Sequence, residues 1–295
     1  MKPVDFQLHR PQTLAETLTL LHDLADDVKV LAGGQSLLPL LNFRLARPAH
    51  VVDIGRVVGL ARLRRTSSEL SIGATVRHAE AERSPSVAAH APLLTAALPQ
   101  IAHPPVRTRG TVGGSLAHAD PAAELPSVAM ALDAVFVAAS TSGERTIPAA
   151  EFFRTHLTTA LRPDELLTEI RFPRAAPGTG AAFLEVGRRR GDFALVGAAV
   201  QVTVDGPRIA EARVCLSGVG QIPHRCPAAE EILTGAPLGS ARVREAADAV
   251  RDSVRPSDDL HATAAYRKDV AGTLLVRAVT KAARRAESAD RKDET

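Results

Sequence analysis

The chain has no Trp, one Tyr and eight Phe among its 295 residues, so aromatic side chains make up only 3%. A single-stranded nucleic-acid binder stacks bases on aromatics set along a basic stripe. Neither feature is present: Lys and Arg are interspersed with Asp and Glu, for a net charge of +3. Cysteine is equally scarce, with Cys215 and Cys226 alone. Two thiolates cannot hold a plant-type [2Fe–2S] cluster, which takes four, and no Cys-x-x-Cys pair exists for zinc. Cys215, within Val214-Cys215-Leu216, reads as a small buried hydrophobe, and Cys226 as the start of a helix. No apolar run approaches the roughly twenty residues of a membrane-spanning helix. The start, Met1-Lys2-Pro3-Val4-Asp5-Phe6, lacks the apolar stretch of a secretion signal, which makes the cytoplasm the expected location.

Several catalytic signatures are also missing. There is no Gly-x-x-x-x-Gly-Lys-[Ser/Thr], and Gly34-Gln35-Ser36-Leu37-Leu38 lacks the second glycine of a hydrolase nucleophile elbow. Gly218-Val219-Gly220 has no third glycine, which removes a nicotinamide-type Rossmann fingerprint. His103 and His118 have no carboxylate or thiolate at ligand spacing and read as polar loop residues rather than metal ligands.

Against these absences stand two similar glycine-paired segments, Ala32-Gly33-Gly34-Gln35-Ser36-Leu37 and Thr111-Val112-Gly113-Gly114-Ser115-Leu116. Glycine allows φ > 0 and a close backbone approach to a ligand, and exposed N–H groups with the hydroxyls of Ser36, Thr111 and Ser115 suit anionic oxygens. A single such segment is an ordinary turn more often than a phosphate site. Two with matching chemistry point to a diphosphate gripped from both sides.

Hydrophobic residues form 45% of the chain, enough for a large core, and the length suits about two domains. Thr13 and Glu16 form a capping box opening a helix through Leu24, followed by a short buried strand at 28–31, the first glycine loop, a helix through about Asn42, and a strand at 51–54. A second α/β lobe spans 69–173, with strands at 70–74, 134–140 and 146–147 and a helix at 86–98. The stretch 101–110, with Pro104-Pro105, reads as a long irregular approach to the second loop. After a linker at 175–180 come β-rich runs at 194–204 and 209–216, then helices at 227–234, 241–254 and 264–286. The tail from Ala286 reads as a frayed helix end or disorder.

The segments Leu31 to Leu45 (LAGGQSLLPLLNFRL) and Arg109 to Pro126 (RGTVGGSLAHADPAAELP) closely resemble the flavoprotein (medium) subunit of molybdenum hydroxylases, the group of aerobic carbon monoxide dehydrogenase, xanthine dehydrogenase and bacterial N-heterocycle dehydrogenases. The resemblance runs from about Met1 to Lys281. It implies an α+β fold: a two-lobed FAD-binding domain of the vanillyl-alcohol-oxidase-like (PCMH) type over 1–175, with lobes at about 1–55 and 56–175. A smaller α+β C-terminal domain of the CO dehydrogenase flavoprotein type follows over 176–285, with a flexible tail at 286–295. The two loops would bind the diphosphate of FAD, with Ala32, Gly33, Gly34, Gln35, Ser36, Leu37, Thr111, Val112, Gly113, Gly114 and Ser115 as contacts. With Gln35 and Ser36 in place of a covalently linking histidine, the FAD is expected to be dissociable.

By the same resemblance Glu124 contacts FAD, and Leu161 lies near the flavin or its diphosphate; taken alone, Glu124 would be an exposed helix residue and Leu161 core. Asp120 is a further contact or caps the helix after Pro121. The stretch Gly187 to Ala194 resembles an Arg-Arg-x-Gly-Asp-Tyr segment whose aromatic covers the isoalloxazine, which assigns Asp192 and Phe193 to the site. Otherwise Phe193 would be an inward residue of the following strand. Relatives usually carry a lysine just before these arginines, where this chain has Leu184 and Glu185. Loss of that cation removes one stabiliser of a reduced, anionic flavin or of a nicotinamide.

The implied role is an electron relay. A large molybdopterin-containing subunit hydroxylates substrate, a small subunit with two [2Fe–2S] clusters passes electrons on, and FAD on this chain delivers them to a quinone, NAD or oxygen. A stand-alone FAD-dependent oxidoreductase is the alternative, for which the sequence names no convincing proton-transfer residue. A non-redox assembly module is a third, opposed by the intact loops.

Overall fold

The computed structural model describes residues 2–293. A short strand, β1 (Gln7–His9), leads to the capping signal: Glu16 N–H donates to Thr13 Oγ1 at 3.2 Å, and the Glu16 carboxylate accepts from the Gln12 and Thr13 N–H groups. The box therefore closes where the sequence places it, and α1 (Leu14–Leu24) buries Leu18 and Leu21. Next come β2 (Val28–Leu31), α2 (Leu37–Asn42) and β3 (His50–Asp53), with the first glycine loop joining β2 to α2. The strands form a parallel sheet in the order β1–β3–β2. The central strand buries Val51 and Val52, whereas β2 is an edge strand with only half-buried or exposed residues. The expectation that β2 is buried is corrected by this edge position.

The second lobe is built on β4 (Leu63–Arg65), β5 (Glu69–Gly73), β6 (Val135–Ser140), β7 (Gly143–Pro148) and β10 (Leu166–Pro173), in an antiparallel sheet ordered β4–β5–β10–β6–β7. A small hairpin, β8 (Phe153–Thr155) with β9 (Thr158–Thr159), lies beside it. The helices are α3 (His78–Arg83), α4 (Pro85–His90), α5 (Pro92–Ala97), α6 (Pro104–Arg107), α7 (Val112–His118), α8 (Glu124–Ala131) and α9 (Ala149–Phe152). The single helix expected over 86–98 is thus two. Pro92 has no N–H to donate and forces Ala91 out of the helical region, to φ −134° and ψ 70°. The 101–110 approach also carries the short helix α6. Phe136, Phe152 and Phe153 meet in the core, the first two stacked with centroids 3.8 Å apart.

The third unit is an antiparallel sheet of β11 (Thr179–Gly187), β12 (Ala194–Asp205), β13 (Arg208–Ser217) and β14 (His224–Arg225), backed by α10 (Pro227–Leu233), α11 (Arg242–Ser253) and α12 (Ala264–Asp293). Side chains alternate across it. Ala181, Phe183, Ala199 and Cys215 join the core of the second lobe, whereas Ala182, Val196, Ala198, Val200, Val214 and Leu216 pack under the helices. A sheet buried on both faces explains why β12 is apolar almost throughout. The expected linker at 175–180 is shorter, since β11 starts at Thr179. Helix α12 continues to Asp293, beyond the end expected at Ala286; Ala286 is buried, and its N–H lies against Gly180. The last two residues of the expected tail, Glu294 and Thr295, lie outside the described residues.

Candidate functional site

The first glycine loop is an open turn. Gly34 has φ +77°, a conformation that side-chain-bearing residues rarely adopt. The N–H groups of Gly33, Gly34, Gln35 and Ser36 have no partner among the described residues, and neither does the Ser36 hydroxyl. Gln35 folds its side-chain amide back onto the Gly33 carbonyl at 3.2 Å and so braces the loop. Consecutive N–H groups around a left-handed residue form a concave donor array suited to an anion. Ala32 and Leu37, at the two ends, are half-buried.

The second segment looks alike in sequence and differs in structure. It is the first turn of α7, with Thr111 as N-cap, and the open array of donors expected there is absent. Val112 N–H donates to the Val76 carbonyl at 2.9 Å, Gly113 N–H to Ala74 at 3.0 Å, and Gly114 N–H to Thr111 Oγ1 at 3.0 Å. Val112 is a fully buried core residue, and a Cβ on Gly113 would lie 2.6 Å from Ala74. These residues therefore dock α7 onto the sheet. What the segment leaves toward its neighbour is the half-buried Gly114 and the half-buried Ser115, whose hydroxyl has no partner among the described residues.

The two segments meet. A Cβ on Gly33 would stand 2.5 Å from the Arg109 carbonyl oxygen and 2.8 Å from Gly110 Cα, and one on Gly114 would lie 3.6 Å from Ala32 Cβ. Glycine at position 33 lets the two lobes close on each other, whereas a Cβ at 114 would make only ordinary van der Waals contact with Ala32. The second segment and its approach are held by residues that the sequence did not single out. His78, 4% exposed, donates from Nε2 to the Thr111 carbonyl at 2.8 Å, while its own N–H reaches the Gly110 carbonyl at 3.0 Å. Burial pushes its pKa down to about 4, so it is neutral at pH 7. Arg77 donates to the Arg109 carbonyl. Arg107, also buried, pairs with Glu82 at 2.8 Å and donates to the carbonyl of Ile101 at 3.0 Å, which fixes the approach to the loop. No motif marks these residues, because His78, Arg77 and Arg107 act on second-lobe partners 25 or more residues away in the chain.

The remaining expected residues lie at the boundary with the C-terminal sheet. Asp120 forms an Asx turn, accepting from Ala122 N–H at 2.9 Å; it does not cap α8, whose N-cap is Ala123. Glu124 opens α8 and is 8% exposed, so the exposed-helix alternative fails. Burial, with Asp120 nearby as a smaller contribution, raises its carboxyl to about 7. Leu161 is half-buried against the second-lobe core, on a turn braced by Arg145, which grips Glu165 at 2.6 and 2.8 Å and the Ala160 carbonyl at 2.7 Å. Asp192 is exposed, and Phe193 is 66% exposed on the turn before β12, so it is not an inward strand residue. That turn lies on the FAD-domain side, with Gly191 against the His103 imidazole. Glu185, on β11, has its carboxyl raised to about 8 by burial first and by Glu124 second.

Among the described residues, no three His, Cys, Asp or Glu side chains cluster as a metal site requires, and no helix is long and apolar enough to cross a membrane. Unpartnered N–H groups and hydroxyls from two lobes meet where Gly33 packs on the Arg109–Gly110 backbone, an arrangement suited to an anionic group such as a diphosphate. Two family models match: the FAD binding domain in molybdopterin dehydrogenase over residues 4–175, and the CO dehydrogenase flavoprotein C-terminal domain over residues 181–282. The chain belongs to the FAD-binding medium subunits of molybdenum-containing dehydrogenases, and its cofactor is FAD. It is 45% identical to the 6-hydroxypseudooxynicotine dehydrogenase complex subunit alpha of Paenarthrobacter nicotinovorans, over 97% of each chain. With the caffeine dehydrogenase subunit beta of Pseudomonas sp. (strain CBB1) it shares 41% identity over 97% of each. A solved structure of carbon monoxide dehydrogenase from Hydrogenophaga pseudoflava superposes with a TM-score of 0.94 at 39% identity, covering 97% of this chain and 99% of that one.

Proposed function

We propose that this chain is the electron-relay subunit of a cytoplasmic molybdenum hydroxylase, holding FAD between the iron–sulfur clusters of a small partner and an external acceptor. A large molybdopterin-containing partner would carry out the substrate chemistry. The observation that carries this reading is the meeting of two unlike loops: one with free donors, the other locked in place, joined at Gly33. When bound, FAD supplies one- and two-electron chemistry at a single ring. The protein's part is to hold it.

In this reading the N–H groups of Gly33, Gly34, Gln35 and Ser36 and the hydroxyls of Ser36 and Ser115 take the diphosphate. Ala32, Leu37, Thr111, Val112, Gly113 and Gly114 shape the space. Glu124, Leu161, Asp120, Asp192 and Phe193 lie on the flavin side, with the exposed ring of Phe193 free to stack. The site draws on the units proposed at 1–175 and 176–285, since Phe193 belongs to the second. The relatives act on a nicotine derivative, caffeine and carbon monoxide by their names. Such different substrates on similar medium subunits support placing substrate choice in another polypeptide.

Co-purification from the native host tests the reading. A complex of three different chains containing molybdenum, iron and acid-releasable FAD is expected. A yellow monomer that turns over a small molecule alone would replace the relay with the stand-alone oxidoreductase, and a colourless partner-binding chain would leave only an assembly role.

A further inference from the structure

A buried arginine joins the two turns that stand on the proposed flavin side. Arg267, in the first turn of α12, is 7% exposed, and its guanidinium reaches three segments far apart in the chain. Nη1 donates to the carbonyl of Leu195, near the start of β12, and at 3.0 Å to the carbonyl of Gly218, just past the end of β13. Nη2 pairs with Asp259 Oδ2 at 2.6 Å. The loop before α12 is shaped to receive it, since Asp259 Oδ1 accepts from the N–H groups of His261 and Ala262 at 2.8 and 2.9 Å. Gly218 is held from both sides: its N–H donates to the Pro121 carbonyl at 2.8 Å, on the turn that carries Asp120 and leads to Glu124. Its φ is +74°, and a Cβ there would collide with the Leu195 carbonyl oxygen, so glycine alone allows this close approach.

Stability alone does not account for this arrangement. A buried guanidinium must be desolvated, and such an ion pair is often no more stabilising than apolar residues of the same volume. Here the Asp259 carboxylate is exposed, and Arg267 Nε is buried with no hydrogen-bond partner among the described residues, a further cost. What arginine supplies is a planar fork that holds several acceptors at set angles. Those acceptors frame the Phe193 turn. Leu195 lies two residues past Phe193, and at the other foot of the turn Arg188 contacts His261 at 3.3 Å, in the same loop as Asp259. Between the feet, Asp192 N–H closes onto the Arg189 carbonyl at 3.2 Å, and Gly191, with φ +87°, packs on the His103 imidazole. The turn is thus held at both ends while the Phe193 ring stays 66% exposed. A ring already anchored in this way loses little freedom when it stacks.

We propose that Arg267 is a positioning residue: through Leu195 and Gly218 it registers the Phe193 turn to the Asp120–Glu124 turn, and so holds the ring where it covers the flavin. Arg267 acts through Phe193 rather than on the flavin itself, and the inference rests on the FAD-carrying reading above. Without the guanidinium, Gly218 keeps its bond to Pro121, but the link from Gly218 to Leu195 is lost. The turn then gains freedom at the foot nearest the ring.

The chain has no Trp, so Phe193→Trp at this exposed position supplies a single reporter, and its fluorescence anisotropy decay in the full chain separates motion of the turn from overall tumbling. Overall tumbling should dominate the decay of Phe193→Trp alone. Adding Arg267→Gln should raise the amplitude of the fast component at least about twofold. Arg267→Lys, which keeps the charge but loses the fork, should give an intermediate rise and carries the test if the glutamine variant does not fold. Adding Val250→Ala, a truncation in the core on α11, should lower the melting temperature and leave the fast component unchanged. No rise in the Arg267 variants, or an equal rise with Val250→Ala, overturns the proposal. The FAD-loaded chain supplies the second arm: fluorescence of bound flavin should rise in Arg267→Gln toward its level in Phe193→Ala, and the double variant should rise no further than Phe193→Ala alone. Additive rises, or none in Arg267→Gln, overturn the action through Phe193. A fast component that responds as expected in a chain binding no FAD supports the anchoring and defeats the FAD-carrying reading instead.

Discussion

The two glycine segments differ by little in sequence, Gly-Gly-Gln-Ser-Leu against Gly-Gly-Ser-Leu, yet their glycines serve different ends. In the first, Gly34 has positive φ and the backbone donors are free; in the second, the donors are consumed by Val76, Ala74 and Thr111, and Gly113 exists to let a helix touch a strand. A glycine pair therefore signals either a ligand or a close packing. Only the hydrogen-bond inventory separates the two. A rigid, fully bonded helix start facing a loop with open donors is a sensible division of labour for the proposed site: one side sets the spacing and the other offers the donors.

The comparison can be broken most severely at Gly33. Gly33→Val sets a side chain against the Arg109–Gly110 backbone, which cannot yield, so the lobes must separate. FAD affinity should fall by at least about a hundredfold, roughly 3 kcal/mol, as read by titration of the purified chain. Arg107→Ala should cost about 3 kcal/mol of stability, because it leaves Glu82 unpaired and frees the Ile101 carbonyl; the melting temperature measures it.

Acid should loosen the locked side first. His78 has a folded-state pKa depressed to about 4, so its contribution is present above its ordinary pKa and is lost as pH falls from about 6.5 toward 4. Unfolding in denaturant across that window should show about 3 kcal/mol lost, and His78→Gln should flatten the dependence. Glu124 and Glu185 act in the opposite sense: their raised pKa values give stability present below the ordinary carboxylate range and lost as pH rises through about 7 and 8.

Smaller effects sharpen the contrast. A Cβ on Gly114 meets the Thr111 hydroxyl at 2.6 Å, a side chain that can rotate away at the loss of its cap. Gly114→Ala should therefore cost about 1 kcal/mol in stability and reduce FAD affinity far less than Gly33→Val. Phe193→Ala, at an exposed position, should change stability by less than about 0.5 kcal/mol while raising the fluorescence of bound flavin. A large stability loss with an unchanged flavin spectrum would remove Phe193 from the site.

Much of the local structure was legible. The Thr13–Glu16 box, the strand before the first loop and the helix after it all lie where spacing and caps put them. Pro92, plain in the sequence, splits the helix expected over 86–98. The end of α12 was hidden for another reason: its last turns look polar and small, yet Ala286 packs against Gly180 on β11. The resemblance supplied Glu124, but its burial comes from the C-terminal sheet closing over α8. His78 and Arg77 were invisible, since each acts on a partner distant in the chain and no short motif encodes that distance.

The central claim is that the two lobes grip a diphosphate, and it is tested most directly by comparing the affinities of the flavin-free chain for FAD and for riboflavin, which lacks the diphosphate. The account predicts one FAD per chain, bound at least about a thousandfold, or roughly 4 kcal/mol, more tightly than riboflavin. Equal affinities for the two would contradict it.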